Sequence, residues 1–349
     1  MRVSRLEPSP PFASESAFRE AFLAGLRRLA ASEQPSALLV ALGNVVAAPA
    51  ACGELRGELG ARLEARRSRQ AAGRAAVPAE AESDELLLAR AVAAGAHRRA
   101  MTEDRQVGPW RARWSPLRAL RPARMAERPA LALAEPFDEA GFHFDRPGLE
   151  PERFVRAPLG GREVTLLYNK FPLGPLNSLL VPAIEQHLPQ RLTPALAEWA
   201  WAAAAELGSR VAGALLGYNS LAAYASVNHL HLQLMLEPAG LPILDARWEH
   251  QGAPGGERYP VPVARLSSAR ELGSWLAETH QREQAYNLLL APGRAYAIRR
   301  RKQSTVTVAP WTTGVAFLEL SGLVLLDDEA AYHRLDARQI EQELARQSI

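Results

Sequence analysis

The sequence is poor in the features that stabilise small secreted proteins or anchor membrane proteins. Its 349 residues include one cysteine, Cys52, which excludes an intrachain disulfide framework and a zinc site built on cysteines. No apolar run approaches the roughly 18 residues that span a bilayer, and the N-terminal stretch MRVSRLEPSPPFASESAFRE lacks the apolar core of a signal peptide. We therefore expect a globular cytoplasmic protein.

The sequence also lacks an excess of charge of either sign. Its 41 Lys and Arg residues are nearly matched by 38 Asp and Glu residues, which gives no compositional sign of nucleic-acid binding. Aromatic residues are not interleaved with basic ones as a single-strand stacking platform requires. Because the overall charge is balanced, any basic binding site must be local. The densest run of basic residues is IRRRK, from Ile298 to Lys302. We predict neither a nucleic-acid nor a membrane partner.

The first 105 residues predict a helical, partly flexible region. Phe18, Phe22, Leu26 and Leu29 recur at helical spacing after Ser14 or Ser16, which are candidate caps. The following stretch is rich in Ala, Glu and Arg, and its mixed charges are typical of a solvated face. We see no chemistry in this region. It would either pack on the rest of the chain or serve as an oligomerisation element of a homodimer.

Residues 106–349 predict a second unit with antiparallel strands and packed helices. REVTLLYNK and SLLVP flank a loop rich in Gly, Pro and Asn, which indicates two strands and a turn. Thr193 and Pro194 then give a strong helix-start pattern. GALLGYNSLAAYASVNHLHLQLMLEP, QAYNLLLAPGRAYAIRRRK and GVAFLELSGLVLLDD predict further strands. Since strands and helices do not alternate regularly, the predicted fold class is α+β.

The most informative stretch is NHLHLQ, which places His229, His231 and Gln233 at alternate positions. On a strand these three side chains would share one face, while leucines occupy the other. Three interpretations compete: an ordinary polar or core-satisfied strand, a metal site, and covalent nucleotidyl transfer by an imidazole. A zinc site needs further ligands, and the other histidines show no paired spacing. We therefore predict no metal.

The surrounding sequence favours nucleotidyl transfer, because an ordered set of segments accompanies the motif. The segments are PFDEAGFHFDR, LLVP with LPQRLT, LGYNSLAAYASVNHLHLQ, YPVPVARL, YNLLLAPG and LELSGLVLL. Over roughly residues 110–330 the chain resembles the transferase branch of the histidine triad superfamily. More narrowly, it resembles the GDP-hexose phosphorylases of plants and animals. The resemblance implies a histidine-triad-like antiparallel sheet with packed helices.

The resemblance also implies a mechanism and a set of site residues. His231 would attack the α-phosphorus and carry the nucleotidyl group, His229 would shape the phosphate pocket and fix the ring of His231, and Gln233 would contact the phosphate. Asn219 and Ser226 match positions that contact phosphate or sugar. A neutral imidazole is a competent nucleophile, and inorganic phosphate can displace it from phosphorus. The scheme requires no cofactor.

Other polar residues near the motif are candidate substrate contacts. Asn169 and Lys170, in YNKFP, would face the phosphates, and Arg300 would line one wall, although a solvated strand end explains either cation equally well. The sequence departs from its relatives at Asn177, Ser178 and Leu323, which are expected to contact substrate. The predicted reaction is phosphorolysis of a nucleoside diphosphate sugar, most closely a GDP-hexose. The alternatives are a dinucleoside polyphosphate phosphorylase and a non-catalytic nucleotide-binding protein.

Overall fold

The computed structural model describes residues 10–71, 83–101, 104–121 and 132–349 of the chain. Four helices occupy the N-terminal region, and the others lie among or after the strands. The helices are α1 (Glu15–Ala30), α2 (Pro35–Ala47), α3 (Gly53–Ala71), α4 (Asp84–Ala93), α5 (Pro194–Arg210), α6 (Ala269–Gln281), α7 (Phe317–Leu320), α8 (Glu329–Arg334) and α9 (Ala337–Arg346). The predicted helical N-terminal region is confirmed. The division at residue 105 stays a prediction.

An eight-stranded antiparallel sheet forms the centre of the molecule. The strands of the described chain are β1 (Arg105–Val107), β2 (Trp110–Trp114), β3 (Arg153–Leu159), β4 (Arg162–Tyr168), β5 (Ser178–Pro182), β6 (Ala214–Asn219), β7 (Leu232–Leu236), β8 (Trp248–Glu249), β9 (Glu257–Arg258), β10 (Ala264–Leu266), β11 (Ala285–Ala291), β12 (Arg294–Arg300) and β13 (Leu323–Leu326). The central order is β10-β12-β11-β6-β7-β5-β4-β3, while β1, β2 and β13 form a smaller sheet and β8 pairs with β9. The predicted α+β class is confirmed.

Two helix starts follow directly from their sequences. The Ser14 hydroxyl accepts from the Ala17 amide at the start of α1, and the Thr193 hydroxyl accepts from the Leu196 amide at the start of α5. Each cap satisfies an amide that has no partner within its helix. Pro194 occupies the first turn of α5, where its missing N–H costs nothing.

The N-terminal helices pack on the central sheet and share its core. The Phe22 ring on α1 lies 4.8 Å from the Tyr168 ring on β4 and 5.3 Å from the Phe154 ring on β3, measured between centroids. The buried Tyr168 hydroxyl donates to the Phe22 carbonyl. Leu38 and Leu42 of α2 belong to the same buried cluster. This packing brings α4 to the end of β4.

The segment FLEL was predicted as a strand, and this prediction is wrong. Residues Phe317–Leu320 form the short helix α7. The Glu319 carboxylate accepts from the Ala316 amide over 2.9 Å and closes the turn, and Gly322 leaves it with a φ of +90°. That backbone conformation is readily adopted by glycine. The strand predicted here is confined to Leu323–Leu326.

In the described part of the chain, no helix has the length and apolarity needed to cross a membrane. The cytoplasmic location stays a prediction.

Gly217→Ala is expected to destabilise the junction between β6 and α7. An added Cβ would lie 2.1 Å from the buried Phe317 ring, so the free energy of unfolding should fall by about 1–3 kcal/mol. Chemical denaturation measures this change. The control is Gly273→Ala in α6, where the nearest atom is 3.9 Å away and a gain of roughly 0.5–1 kcal/mol is expected. Equal effects of the two substitutions would contradict the packing described.

Candidate active site

A cavity of about 550 Å³ lies where the central sheet meets α4, α7 and the loop before β7. Most of the site residues predicted from the sequence line it, although they come from separate segments. Those that line it are Asn169, Lys170, Asn219, Ser226, His231 and Gln233. His229 and Arg300 are not among the lining residues.

His229 and His231 do not lie on the predicted strand, because β7 begins only at Leu232. Instead, the segment before β7 is held by residues 188–190. The Leu230 amide donates to the Leu188 carbonyl over 2.7 Å. The buried Gln190 side chain accepts from the His231 amide over 2.8 Å and donates to the His231 carbonyl over 3.2 Å. A side-chain amide thus replaces the neighbouring strand and fixes the backbone at His231.

The His231 ring is held in one tautomer. Its Nδ1 lies 2.8 Å from the His229 carbonyl oxygen, and because a carbonyl only accepts hydrogen bonds, Nδ1 carries the proton. In the neutral ring the lone pair is therefore on Nε2. Burial lowers the pKa of His231 to about 4, so the imidazole is neutral at pH 7. A neutral imidazole with an unprotonated Nε2 beside a cavity is a nucleophile.

The His229 side chain lies behind the cavity wall and is not among the lining residues. Its Nδ1 accepts from the Phe144 amide over 3.2 Å, and its ring is fully buried. Burial lowers the pKa of His229 to about 3. The His229 carbonyl is bonded by His231 Nδ1. The role of His229 in fixing the ring of His231 stays a prediction. The Phe144 ring packs on both imidazoles and itself lines the cavity.

Gln233 is oriented by two asparagines. Its Oε1 accepts from Asn177 Nδ2 over 3.2 Å and from Asn169 Nδ2 over 3.3 Å. Asn177 is fully buried and also donates to the Leu234 carbonyl over 3.0 Å. Because the oxygen of the Gln233 amide is occupied, its NH2 group is the part available to the cavity. Asn177, one of the positions at which the sequence departs from its relatives, therefore orients the Gln233 side chain.

Asn219 joins β6 to α7 at the cavity wall. Its Oδ1 accepts from Asn287 Nδ2 over 2.6 Å and from the Phe317 amide over 3.0 Å. Ser226 lies in the loop between β6 and β7 and lines the same cavity. The contacts of both residues with a substrate stay predictions.

Lys170 is paired with a residue of the N-terminal region. Its Nζ lies 2.9 Å from each carboxylate oxygen of Asp84, which begins α4. Asp84 and Leu87 both line the cavity. The expectation that the first 105 residues carry no chemistry therefore missed a charged group in the cavity wall.

Arg300 was predicted to line the substrate wall, and the structure places it in the core instead. Its guanidinium donates to the carbonyls of Arg301 and Val315 and to the Gln347 side chain. It lies 5.0 Å from the centre of the Tyr224 ring, which does line the cavity. Because β12 directs this side chain inward, Arg300 supports a wall residue and has no access to the cavity.

The sequence reasoning missed two arginines of the cavity. Arg118 and Arg121 follow β2 in SPLRALRP, and Glu319 of α7 lies beside them. Burial lowers the pKa of Arg118, and it lowers that of Arg121 to about 10. Burial also raises the pKa of Glu319, opposed by the charge of Arg118. The spacing of the two arginines was a readable signal, and so was the position of Glu319 near the end of a predicted strand.

Three histidines gather around Phe137 on the far side of His231. The His187 ring stacks on Phe137 at 4.7 Å, and the His143 and His229 rings meet it edge-on at 5.4 and 5.2 Å. These centroid distances are those of aromatic rings in van der Waals contact. Among the described residues, no group of three or more His, Cys, Asp or Glu side chains is arranged to hold a metal ion.

Comparison with known proteins matches part of this site to a recognised family segment. Residues 123–235 match the family model described as "GDPGP1-like, N-terminal domain". The resemblance is thereby confirmed over this stretch. The matched segment contains both histidines and Gln233, and it ends within β7.

A curated relative carries the same resemblance. Human GDP-D-glucose phosphorylase 1 is 36% identical over 135 residues. These residues are 37% of this chain and 34% of the human protein, so the match spans about a third of that relative's length.

Solved structures of yeast Ap4A phosphorylase Apa2 also match. Alone, Apa2 gives a TM-score of 0.49 at 18% identity, covering 71% of this chain and 87% of its own. In complex with Ap4A it gives a TM-score of 0.49 at 20% identity, covering 71% of this chain and 90% of its own.

Asn177→Asp is expected to disrupt the orientation of Gln233. The Asn177 NH2 group donates to the oxygens of Gln233 and Leu234, and the substitution replaces it with a carboxylate oxygen that only accepts. The free energy of unfolding should therefore fall by on the order of 3 kcal/mol at neutral pH. The cost should shrink as the pH falls, because protonation restores a donor. Denaturant titrations at several pH values measure it.

The comparison variant is Asn169→Asp, which removes a donor to the same Gln233 oxygen at a half-buried position. Its cost should be smaller, since water can solvate the new charge. If both variants lost equal stability with no pH dependence, the buried amide network would not act as described.

Proposed function

We propose that the protein phosphorolyses a nucleoside diphosphate sugar, with a GDP-hexose as substrate. The products are the nucleoside diphosphate and a hexose 1-phosphate. One observation carries the proposal: His231 is neutral, bears its proton on Nδ1 and lines a cavity next to the Gln233 amide. The similarity to human GDP-D-glucose phosphorylase 1 supports a GDP-linked hexose.

In the first half-reaction, Nε2 of His231 attacks the α-phosphorus of the nucleotide sugar. A P–N bond forms, and the bond from the α-phosphorus to the bridging oxygen breaks. The hexose 1-phosphate leaves as an anion and needs no proton. The modified ring is cationic, and its Nδ1–H still donates to the His229 carbonyl, which stabilises that charge. The hydrogen bond that sets the tautomer thus also stabilises the intermediate.

In the second half-reaction, an oxygen of inorganic phosphate attacks the same α-phosphorus. The P–N bond breaks, its electron pair returns to Nε2, and the nucleoside diphosphate is released. Both steps take place at the same α-phosphorus in one site, with His231 as the nucleophile of the first step and the leaving group of the second. The imidazole ends each cycle in its original neutral form.

Cationic and amide groups of the cavity suit the charge that develops on the phosphoryl oxygens. The NH2 group of Gln233 is directed to the cavity, and Arg118 and Arg121 line it. Fixed donors in a cavity shielded from water stabilise a pentacoordinate transition state effectively. The volume of about 550 Å³ lies within the usual range for small-molecule sites.

The test is intact-protein mass measurement after mixing the protein with nucleotide sugars in the absence of phosphate. We expect the added mass of one nucleotidyl group, which is a nucleoside monophosphate less water, on the wild type and not on His231→Ala. Added phosphate should discharge the adduct and release nucleoside diphosphate. A panel of GDP-sugars, ADP-sugars and a dinucleoside tetraphosphate identifies the leaving group.

The matched control is His333→Ala, a substitution at an exposed position on α8, which should form the adduct like the wild type. If nucleotides bind but no adduct forms with any member of the panel, the transferase proposal fails. A non-catalytic nucleotide-binding protein would then explain the site better.

At a saturating concentration of nucleotide sugar, the rate of adduct formation should be insensitive to pH between about 5 and 8. The nucleophile is the neutral ring, and its pKa of about 4 leaves it almost fully deprotonated over that range. Single-turnover rates without phosphate measure this step and avoid the titration of inorganic phosphate itself. A rate that falls with a midpoint near the ordinary histidine value of 6.5 would contradict the buried placement of His231.

A further inference from the structure

Glu152 is a buried carboxylate that faces the cavity without a partner in the protein. It ends the short turn Pro147–Glu152 before β3, and only 7% of it is exposed. It lines the same cavity as His231. Among the described residues, its side chain makes no hydrogen bond and no ion pair within bonding distance. A buried carboxylate normally has a partner, so this one is open to a ligand.

The environment of Glu152 combines apolar walls with one cation. Leu87, Tyr168 and Phe171 line this part of the cavity. Burial raises the pKa of Glu152 to about 7, against the opposing charge of nearby Lys170. The Lys170 ammonium donates to both carboxylate oxygens of Asp84. One of its three N–H groups is therefore left to donate to a ligand. The cavity thus presents a carboxylate and an ammonium donor close together between apolar side chains.

That pattern complements one edge of one nucleobase. Guanine offers two adjacent donors, N1–H and the N2 amino group, followed by the acceptor O6. A carboxylate can accept from both donors while an ammonium donates to the acceptor. Adenine instead offers an acceptor at N1, which a carboxylate repels. The flat apolar faces of a purine also suit the apolar walls.

We propose that Glu152, assisted by Lys170, recognises the guanine base and makes the site selective for guanine nucleotides. The inference builds on the proposed function by naming the base-reading residue of the same cavity. The competing role for a free carboxylate is to bind hexose hydroxyl groups. Guanine is favoured because a flat purine also accounts for the apolar side chains Leu87, Tyr168 and Phe171 in the cavity lining, which hexose hydroxyl groups leave without a partner.

The experiment measures equilibrium binding of GMP, IMP and AMP by calorimetry to the full-length protein. IMP lacks only the N2 amino group, so the ratio of GMP to IMP affinity isolates that contact. The wild type should bind GMP roughly tenfold to a hundredfold more tightly than IMP, as expected for a hydrogen bond to a charged group. In Glu152→Gln the ratio should collapse toward one, because the side-chain NH2 faces the amino group of guanine.

Two further variants keep the result interpretable. Glu150→Gln removes the same charge two residues away, from an exposed side chain that pairs with Arg153, and should leave the ratio unchanged. Glu152→Asp keeps the carboxylate and should retain the preference for GMP over IMP with weaker binding. Far-ultraviolet circular dichroism and thermal melts verify that each variant folds.

Two results would overturn the inference. The first is equal affinity of the wild type for GMP and IMP, and the second is an unchanged ratio in Glu152→Gln. If the ratio is unchanged and that variant loses a preference for GDP-glucose over GDP, Glu152 is assigned to the hexose. The measurement needs no turnover, so it is separable from the proposed function: selective GMP binding can hold when no adduct forms, and an adduct can form without base selectivity.

Discussion

The hydrogen bond from His231 Nδ1 to the His229 carbonyl is the interaction on which the site depends. It selects the tautomer, and it stabilises the charge that the ring would acquire on modification. A flexible backbone could not hold this bond, since both partners lie outside the sheet. Gln190 supplies the rigidity by bonding the amide and the carbonyl of His231 and the carbonyl of Asn219. One buried glutamine therefore connects the nucleophile to the end of β6.

The strands of the central sheet position the other groups of the site. Gln233 is the first polar residue of β7 and pairs in register with Gly217 on β6 and Leu179 on β5. Because Gly217 has no side chain, the Phe317 ring of α7 packs directly against β6. The backbone amide of Phe317 donates to the Asn219 side chain. Glu319 is part of α7, and the arginines after β2 lie beside it. A glycine in a central strand thus allows α7, which carries Glu319, to pack closely against the sheet.

The parts that could be predicted from sequence are those with local causes. Helix α5 follows from a cap and a proline, and β4 and β5 follow from short apolar runs around a turn. The strand predicted across His229 and His231 is absent, because Gln190 instead of a neighbouring strand holds the backbone of His231. The position of Arg300 could not be predicted, because strand alternation gives two faces without saying which one is buried. Asp84 and Glu152 gave no signal either, since their meeting with Lys170 depends on the packing of α4 and the turn before β3 against the end of β4. Long-range convergence of this kind has no local signature.

The arrangement reconciles two opposing demands on the cavity. A nucleophilic imidazole must be neutral, which burial achieves, and burial accounts for most of the lowered pKa of His231. An anionic substrate needs cations, which are costly in the same dry surroundings. The structure separates the two demands. Phe144 packs against the imidazole, while the cations come from other segments. Lys170 pairs with Asp84, and Arg118 and Arg121 both lie near Glu319. A substrate that reaches both regions would bring its phosphoryl oxygens to the cations and its phosphorus to Nε2, so that charge and nucleophile meet only through the substrate.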